Sequence, residues 1–415
     1  MTQLQQLNDL LAYATAHGRA YRRIYGMDKD APVLTIGSFS EWQDIPLLSK
    51  SDLLGIPLAE RSFLPMSEVD YIAASSGTTG TLPLFSPRTH VLEYEFRHDI
   101  FRFSGAALSS KLVPHQQELF LSAGGVPAPV VILDPRNPAV SVRLAQDAGV
   151  ESIFAFLYHM PLIIEHMVRA GIGEQIRFVE VAGHTCSRSM FDAMRSAFPH
   201  AIIISTYGIS EVERSPVGLP CTAMTEEHHE QHYHAKPDCY LELLDVESGR
   251  CIAPEIGYEG ELVVTSHTTE PAAFPMIRYR TGDKVRVTDT KCAAHGDWSF
   301  SVLGRLETDF IKIPGGALNA HEIERVLRMH SDTVSDVFEA HLYEDTAADR
   351  VRLVLHLQPH PGADLKSLVT EISDQLRIGP DSTYADRVRA GHCSPIEPVV
   401  LAHDPLRKPK RIIRH

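Results

Sequence analysis

Apolar positions near the start of the chain recur at the spacing of an amphipathic helix. One face of this helix would lie against the main domain, and its apolar positions are Leu4, Leu7, Leu10, Leu11 and Tyr13. Between residues 119 and 180 the pattern changes to short apolar runs at 130–133 and 153–156, with a helical run at 161–170. Strands that alternate with helices predict βαβ units and a mostly parallel sheet.

The next apolar run, 201–205, predicts a strand that leads directly into Tyr207 and Gly208. Open α/β sheets bind ligands beyond the carboxyl ends of their strands, so this position favours a ligand site. Residues 240–287 instead contain short β-rich pieces, which indicate a small sheet or a distorted barrel.

In the C-terminal quarter, helical patterns at 322–327 and 365–376 flank an alternating, strand-like run at 350–357. These elements predict a compact α+β unit of ordinary domain size. The predicted fold class is therefore α/β. It has a large N-terminal domain at 1–303, which combines parallel-rich sheets with a small sheet or barrel, and a small α+β C-terminal domain at 304–415.

Composition and charge narrow the function classes. The 415 residues are 44% hydrophobic and 22% charged, which is typical of a globular protein with a sizeable core. The formal charge of −14 opposes binding to nucleic acid or to an anionic membrane. The N-terminus lacks a basic flank followed by a long apolar stretch, and no segment has about 18 consecutive apolar residues, so we expect a cytoplasmic protein.

Cysteine usage argues against a disulfide framework. Six cysteines are scattered along a long chain, so buried thiols or a metal site explain them better. They are Cys186, Cys221, Cys239, Cys251, Cys292 and Cys393.

A small-residue loop follows the strand-like run at 71–74. Its residues are Ser75, Ser76, Gly77, Thr78, Thr79 and Gly80. Glycine and hydroxyl residues let backbone N–H groups close around an anion, so the loop is a candidate phosphate cradle. A surface linker has a similar composition, and the loop alone does not separate the two interpretations.

Further motifs follow this loop in a fixed order. They are Tyr207-Gly208-Ile209-Ser210-Glu211, Gly260-Glu261-Leu262, Tyr279-Arg280-Thr281-Gly282-Asp283, Gly304-Arg305, Thr308-Asp309-Phe310-Ile311-Lys312, Glu322-Ile323-Glu324 and Lys408-Pro409-Lys410-Arg411. The succession resembles the acyl-adenylate-forming superfamily. The opening segments 20–25 and 45–50 and the short length look most like the phenylacetate-CoA ligase branch.

The resemblance implies a nucleotide site. The loop would bind the β- and γ-phosphates, with Thr78 and Thr79 as the main contacts. Tyr207, followed by Gly208, would pack on adenine, and Ser210 would contact the α-phosphate. Glu211 would bind Mg²⁺, which prefers carboxylate oxygen; the alternative is a solvated acid at a strand end.

Asp283 and Arg305 complete the implied nucleotide contacts. Asp283 resembles the acid that accepts both ribose hydroxyls, since one carboxylate can accept two hydrogen bonds. Arg305 would add a ribose or phosphate contact, and a structural salt bridge is the alternative.

Two positions depart from the family pattern. No lysine follows the phosphate loop, where the sequence continues Thr81-Leu82-Pro83-Leu84, and Arg88 is the nearest candidate to compensate. The segment Ala182-Gly183-His184 stands where the phenylacetate-ligase branch has Gly-Ala-Glu. Its backbone could still frame adenine, but the carboxylate is replaced by an imidazole.

The resemblance also implies a mobile lid formed by the C-terminal domain. Lys408 would neutralise charge on the reacting phosphate, and residues 307–309 would be the hinge. Lys410 is a second candidate for that lysine, and the alternative for the whole tail is a solvated basic terminus.

Thiols and imidazoles concentrate in one region. Cys221, His228, His229, His232, His234 and Cys239 fall within nineteen positions, and Cys292 and His295 follow further along. Such ligands suit tetrahedral Zn²⁺, and the candidate ligands are Cys221, His234, Cys239 and Cys292. The alternative is an exposed histidine-rich loop.

The resemblance implies an enzyme that uses ATP and Mg²⁺ to convert a carboxylic acid into an acyl-adenylate. The resemblance to the phenylacetate-CoA ligase branch implies that this acid is aromatic. The acyl group would then pass to a thiol, and coenzyme A is the preferred candidate for this acceptor. Loading of a carrier protein, amide formation with an amine, and a non-adenylating acyltransferase or binding protein are the alternatives. The oligomeric state is open, a homodimer being a common solution for enzymes.

Overall fold

In a computed structural model the protein consists of two compact units. They are Met1–Thr281 with Val285–Val302, and Gly282–Lys284 with Leu303–His415. The structure describes residues 2–28, 30–69, 71–74, 84–88, 137–183, 186, 188–209, 211–212, 216–221, 232–266, 273–293, 295–306, 310–313, 316–345, 350–379, 382–401 and 412–414. Assignment of the units as a nucleotide-binding domain and a lid stays a prediction.

Five helices open the first unit. They are α1 (Gln3–His17), α2 (Arg19–Ile24), α3 (Phe39–Asp44), α4 (Lys50–Leu54) and α5 (Leu58–Arg61). Thr2 caps α1, because its hydroxyl accepts a hydrogen bond from the backbone N–H of Gln5. The face of α1 that carries Leu7, Leu10 and Leu11 is buried, as its apolar spacing predicts.

A parallel sheet forms the second part of this unit. Its strands β3 (Ser152–Phe156), β4 (Phe178–Ala182) and β5 (Ile202–Ser205) follow each other in space, and a two-stranded antiparallel hairpin of β1 (Tyr71–Ala74) and β2 (Phe85–Arg88) precedes them in sequence. The flanking helices are α6 (Pro138–Asp147), α7 (Met160–Arg169) and α8 (Arg188–Ala197). Short 3₁₀ turns span Met66–Glu68, Leu157–His159 and Gly173–Gln175.

The alternation of strands and helices around 153–156 and 161–170 is therefore confirmed. The strand run predicted at 130–133 lies outside the described residues. The strand predicted at 71–74 does form, as β1, and it pairs antiparallel with β2.

The β-rich region folds into a seven-stranded sheet, which is the largest sheet among the described residues. Its order is β6-β7-β12-β11-β10-β8-β9. The strands are β6 (Gly218–Pro220), β7 (Tyr233–Ala235), β8 (Cys239–Asp245), β9 (Arg250–Ile252), β10 (Glu259–Ser266), β11 (Tyr279–Asp289) and β12 (Ser299–Arg305). Its apolar face shares one core with the N-terminal helices, including the fully buried Trp42 and Tyr21.

A buried ion pair joins that sheet to the N-terminal segment. Arg278 donates to both carboxylate oxygens of Glu242, at 3.1 Å from Nε and 3.0 Å from Nη2. Its Nη1 also donates to the backbone carbonyls of Trp42, Gln43 and Ile45. Breaking one side of such a buried pair is costly, so this contact fixes the segment on the sheet.

The second unit is α+β, as the sequence predicts. A four-stranded sheet has the order β19-β16-β15-β20. The strands of this unit are β13 (Phe310–Ile313), β14 (Gly316–Asn319), β15 (Val334–Asp345), β16 (Arg350–Pro359), β17 (Arg377–Gly379), β18 (Ser382–Thr383), β19 (Glu397–Val400) and β20 (Ile412–Arg414). The helices are α9 (Ala320–Met329), α10 (Leu365–Gln375) and α11 (Tyr384–Arg389). Leu327, Leu355 and Ile372 lie in its own hydrophobic core.

Candidate active site

The carboxyl ends of β4 and β5 lie side by side. Val181 pairs with Ser205 in the parallel register, and the backbone N–H of Thr206 donates to the Val181 carbonyl at 3.0 Å. The chain turns at Gly183, whose φ of +86° favours glycine. Two predicted nucleotide segments, Ala182-Gly183 and Tyr207-Gly208, therefore meet at the ligand-binding edge of the sheet.

Tyr207 is held in place by backbone hydrogen bonds and by aromatic packing. It exchanges two backbone hydrogen bonds with Gly218, of 3.0 and 2.9 Å. Its ring packs against the rings of Tyr233 and Phe300, with centroids 6.0 and 5.8 Å apart. The ring position is thus fixed by β6, β7 and β12; its contact with adenine stays a prediction.

Glu211 lies in the turn after β5. The backbone N–H of Val212 donates to the Ile209 carbonyl at 3.3 Å, which closes this turn. The side chain of Glu211 is buried, and no described residue forms a hydrogen bond or ion pair with its carboxylate. A buried carboxylate that none of the described residues pairs with suits a cation.

Glu180, which lies on β4, the strand next to β5, was not identified from the sequence. Glu180 is fully buried on β4 and accepts a hydrogen bond of 2.9 Å from the Thr206 hydroxyl. Desolvation raises its carboxyl pKa from 4.5 to about 7, although the Thr206 hydrogen bond opposes the rise. A lone acid inside the apolar run 178–182 was the available signal.

In the second unit, Asp283 and Arg305 form an ion pair. Arg305 Nε lies 2.7 Å from Asp283 Oδ1. Gly282 adopts a φ of +72°, and its carbonyl accepts from the Leu306 backbone N–H at 2.7 Å, which sets β11 against the end of β12. The salt bridge considered for Arg305 is therefore present, and the ribose role of Asp283 stays a prediction.

The thiol and imidazole ligands come together in part. Cys221 Sγ lies 3.5 Å from Cys292 Sγ, and ligand atoms of Cys221, His234 and His295 all lie within 4.8 Å of one another. The structure thus brings two of the four predicted zinc ligands, Cys221 and His234, together with His295, and it places Cys292 beside Cys221.

Cys239 is not in this cluster, which corrects the predicted ligand set. It begins β8, pairs with Ser266 across the sheet and lies in the hydrophobic core. Its Sγ contacts Asp238 Oδ1 at 3.8 Å, and burial raises the pKa of the thiol well above its usual value. Proximity in sequence to His234 was misleading because three strands, β12, β11 and β10, lie between β7 and β8 in the sheet.

The remaining predicted site residues lie outside the described residues. They are Ser75, Ser76, Gly77, Thr78, Thr79, Gly80, His184, Ser210 and Lys408. Among the helices that the structure describes, none is long and apolar enough to cross a membrane.

Comparison with known proteins identifies relatives. No family model matches the chain. Phenylacetate-coenzyme A ligase of Escherichia coli (strain K12) is 27% identical over 311 residues, which cover 69% of this chain. The match spans 66% of that relative, just under two thirds of its length.

Solved structures agree with this similarity. A 2-hydroxyisobutyryl-CoA ligase in the postadenylation state, bound to 2-HIB-AMP, superposes with a TM-score of 0.74 at 17% identity. The match covers 99% of this chain and 88% of that one. The amide bond synthetase McbA from Marinactinospora thermotolerans gives a TM-score of 0.55 at 18% identity, covering 86% and 70% of the two chains. The chain therefore has the fold of acyl-adenylate-forming enzymes and is similar in sequence to phenylacetate-CoA ligase, as its motifs predict.

Proposed function

We propose that this protein activates a carboxylic acid with ATP and transfers the acyl group to a thiol. The observation that carries the proposal is the meeting of Ala182-Gly183 with Tyr207-Gly208 at one sheet edge. The order of motifs predicts that both segments contact the nucleotide. They are 25 residues apart in sequence, yet both lie where α/β sheets bind nucleotides. The fold and the similarity to phenylacetate-CoA ligase support the same activity.

The reaction has two steps. In the first, a carboxylate oxygen of the acid attacks the α-phosphorus of ATP, and pyrophosphate leaves as the acyl-adenylate forms. In the second, the coenzyme A thiol gives up its proton to solvent and its sulfur attacks the acyl carbonyl carbon. The bond from that carbon to the phosphate oxygen breaks and AMP leaves. The first step concentrates negative charge, which Lys408 would neutralise, while Ser210 and the loop at 75–80 would bind the phosphates.

Glu211 is the proposed Mg²⁺ ligand. Its buried carboxylate has no described protein partner, and a hard oxygen donor is what this cation requires. When bound, Mg²⁺ neutralises phosphate charge. Zn²⁺ is proposed at a different place, the cluster of Cys221, His234, Cys292 and His295.

Asp283 is proposed to bind the ribose and Arg305 to orient it. Arg305 Nε holds one oxygen of the buried Asp283 carboxylate at 2.7 Å, which fixes the direction of the carboxylate. A fixed acceptor loses less entropy when a hydroxyl binds.

The proposed substrate is an aromatic acid, because the sequence relative acts on phenylacetate by name. Coenzyme A is the first-choice acceptor, and McbA supports an amine as the alternative. A non-adenylating acyltransferase is favoured by two departures from the family pattern. These are the Thr81–Leu84 run in place of a lysine after the loop and Ala182-Gly183-His184 in place of Gly-Ala-Glu. A cytoplasmic location and a homodimer stay predictions.

Pyrophosphate release from Mg-ATP tests the proposal. The panel contains benzoic, phenylacetic, hydroxybenzoic, aminobenzoic and short aliphatic acids, each with and without coenzyme A. Release that depends on one acid class supports adenylation and names the class. If no acid causes pyrophosphate release but the protein transfers the acyl group of an acyl-CoA, the result favours the acyltransferase.

A further inference from the structure

We propose that Cys221, His234, Cys292 and His295 bind one structural zinc ion that braces the support of Tyr207. In a tetrahedral site with Zn–S bonds of about 2.3 Å, two thiolate sulfurs lie about 3.7 Å apart. The Cys221 and Cys292 sulfurs are 3.5 Å apart. A disulfide would bring them to about 2.05 Å.

The unpartnered nitrogen of His234 is independent support. Nδ1 of His234 lies 3.2 Å from the Trp298 carbonyl, the partner that commonly orients a metal-binding imidazole. Nε2 is buried and forms no hydrogen bond within the part of the chain that the structure describes. The residue is only 3% exposed, and an unpaired buried imidazole nitrogen is costly unless a ligand satisfies it.

The turn that carries the other two ligands is built tightly. The backbone N–H groups of His295 and Gly296 both donate to the Cys292 carbonyl, at 3.2 and 2.7 Å. Cys292 N–H in turn donates to the Asp297 carbonyl at 3.0 Å. The His295 ring stacks on His234 with centroids 4.2 Å apart, and both imidazoles have a nitrogen within 4.8 Å of the Cys221 sulfur.

The donor chemistry selects zinc. Two thiols and two imidazoles form the Cys₂His₂ set of closed, tetrahedral structural sites. Soft sulfur disfavours Mg²⁺ and Ca²⁺. The other described set of three metal-ligand side chains, Glu339, His341 and His356, contains no thiol, and His341 Nε2 already lies 3.2 Å from Glu339 Oε2.

The ligands come from two separate β connections. Cys221 directly follows β6 and His234 lies on β7, while Cys292 and His295 belong to the connection from β11 to β12. A shared zinc ion would cross-link these connections. Because β6 contains Gly218, the backbone partner of Tyr207, the ion would stabilise the strand that fixes this tyrosine.

Metal content tests the site without any assay of the proposed reaction. We expect about one zinc per chain in the full-length protein after dialysis, measured by elemental mass spectrometry. The Cys221→Ser and Cys292→Ser variants should lose most of it. Cys239→Ser is the matched control, since Cys239 is equally buried but outside the cluster, and it should retain the metal.

A measurement on the wild-type chain covers the case in which the variants do not fold. Cobalt(II) exchanged into the protein should give the thiolate charge-transfer and tetrahedral d–d absorption of a two-sulfur site. Octahedral cobalt spectra, zinc retained in both cysteine variants, or a Cys221–Cys292 disulfide in peptide mapping would overturn the proposal.

The effect on Tyr207 rests on the proposed function and is tested apart from metal binding. Removing zinc with a chelator should weaken nucleotide binding several-fold, and added zinc should restore it. If zinc binds but its removal leaves nucleotide affinity unchanged, the bracing role is wrong. If wild-type holoprotein binds zinc but releases no pyrophosphate with any acid, the proposed function fails while the metal site stands.

Discussion

Tyr207 and Gly218 are joined by two reciprocal backbone hydrogen bonds, and a Cβ atom on Gly218 would lie 3.2 Å from the Tyr207 Cβ. The same added atom would lie 3.2 Å from Tyr233 Cβ and 3.3 Å from the Phe300 ring. Three packed aromatic residues therefore leave room only for glycine at this position.

Gly218→Ala should displace Tyr207 and weaken nucleotide binding. Overpacking at such a site costs about 1 to 3 kcal/mol of unfolding free energy, and we expect a several-fold higher KM for ATP. Gly55→Ala is the control, because its added Cβ meets nothing within 4 Å. Equal behaviour of the two variants in ATP kinetics and urea unfolding would mean that Gly218 does not position Tyr207.

Asp283→Ala should raise the KM for ATP by about tenfold or more, since a charge-assisted hydrogen bond contributes about 1.5 to 3 kcal/mol. Initial rates over a range of ATP concentrations measure it. Glu259→Ala is the control, as Glu259 pairs with an arginine, Arg286, at the surface. An unchanged ATP dependence in Asp283→Ala would place the ribose elsewhere.

Glu180 should make stability depend on pH. Burial raises the carboxyl pKa of Glu180 from 4.5 to about 7, so the folded chain holds this proton more tightly than the unfolded chain does. Stability contributed by the protonated carboxyl is complete below pH 4.5 and is lost as the pH rises toward 7. Ionisation therefore costs the folded chain about 3 kcal/mol.

Glu180→Gln should remove that dependence. The test compares thermal unfolding of wild type and Glu180→Gln from pH 5 to 7.5. We expect the wild-type midpoint to fall relative to that of the variant as the pH rises. Parallel curves would show that Glu180 does not titrate in this range.

Arg278→Met should destabilise the first unit by about 3 to 5 kcal/mol, because it leaves the buried Glu242 carboxylate without its partner. Arg286→Met is the matched control. Arg286 lies on β11 and contacts Glu259 at 2.6 Å, but this pair is largely exposed and is worth under about 1 kcal/mol. Denaturant unfolding measures both, and equal losses would contradict the assigned role of Arg278.

Element types were predictable where one periodicity dominates. The leucine spacing of α1 and the apolar runs of β3 and β5 determine their structure locally. The order of motifs also predicted the adenylate-forming fold. Each of these features is determined by a short stretch of chain, so it can be predicted from one sequence.

Long-range pairing was not predictable from local pattern. Arg278 reaches Glu242 and three backbone carbonyls around residue 43 because β11 and the N-terminal segment pack together, and no spacing rule links them. The proposed zinc ligands also come together through long-range pairing. His295 enters it through the β11–β12 connection, whereas Cys239, close in sequence, starts a strand that leads into the core.

Oxygen-isotope transfer tests the central claim most directly. A substrate acid whose carboxylate is labelled with oxygen-18 is incubated with ATP, Mg²⁺ and coenzyme A, and the AMP is analysed by mass spectrometry. Adenylation predicts one labelled oxygen in AMP, because the acid oxygen that attacks the α-phosphorus leaves with AMP when the thiol attacks the carbonyl carbon. Acyl-CoA formation with unlabelled AMP would contradict the acyl-adenylate account.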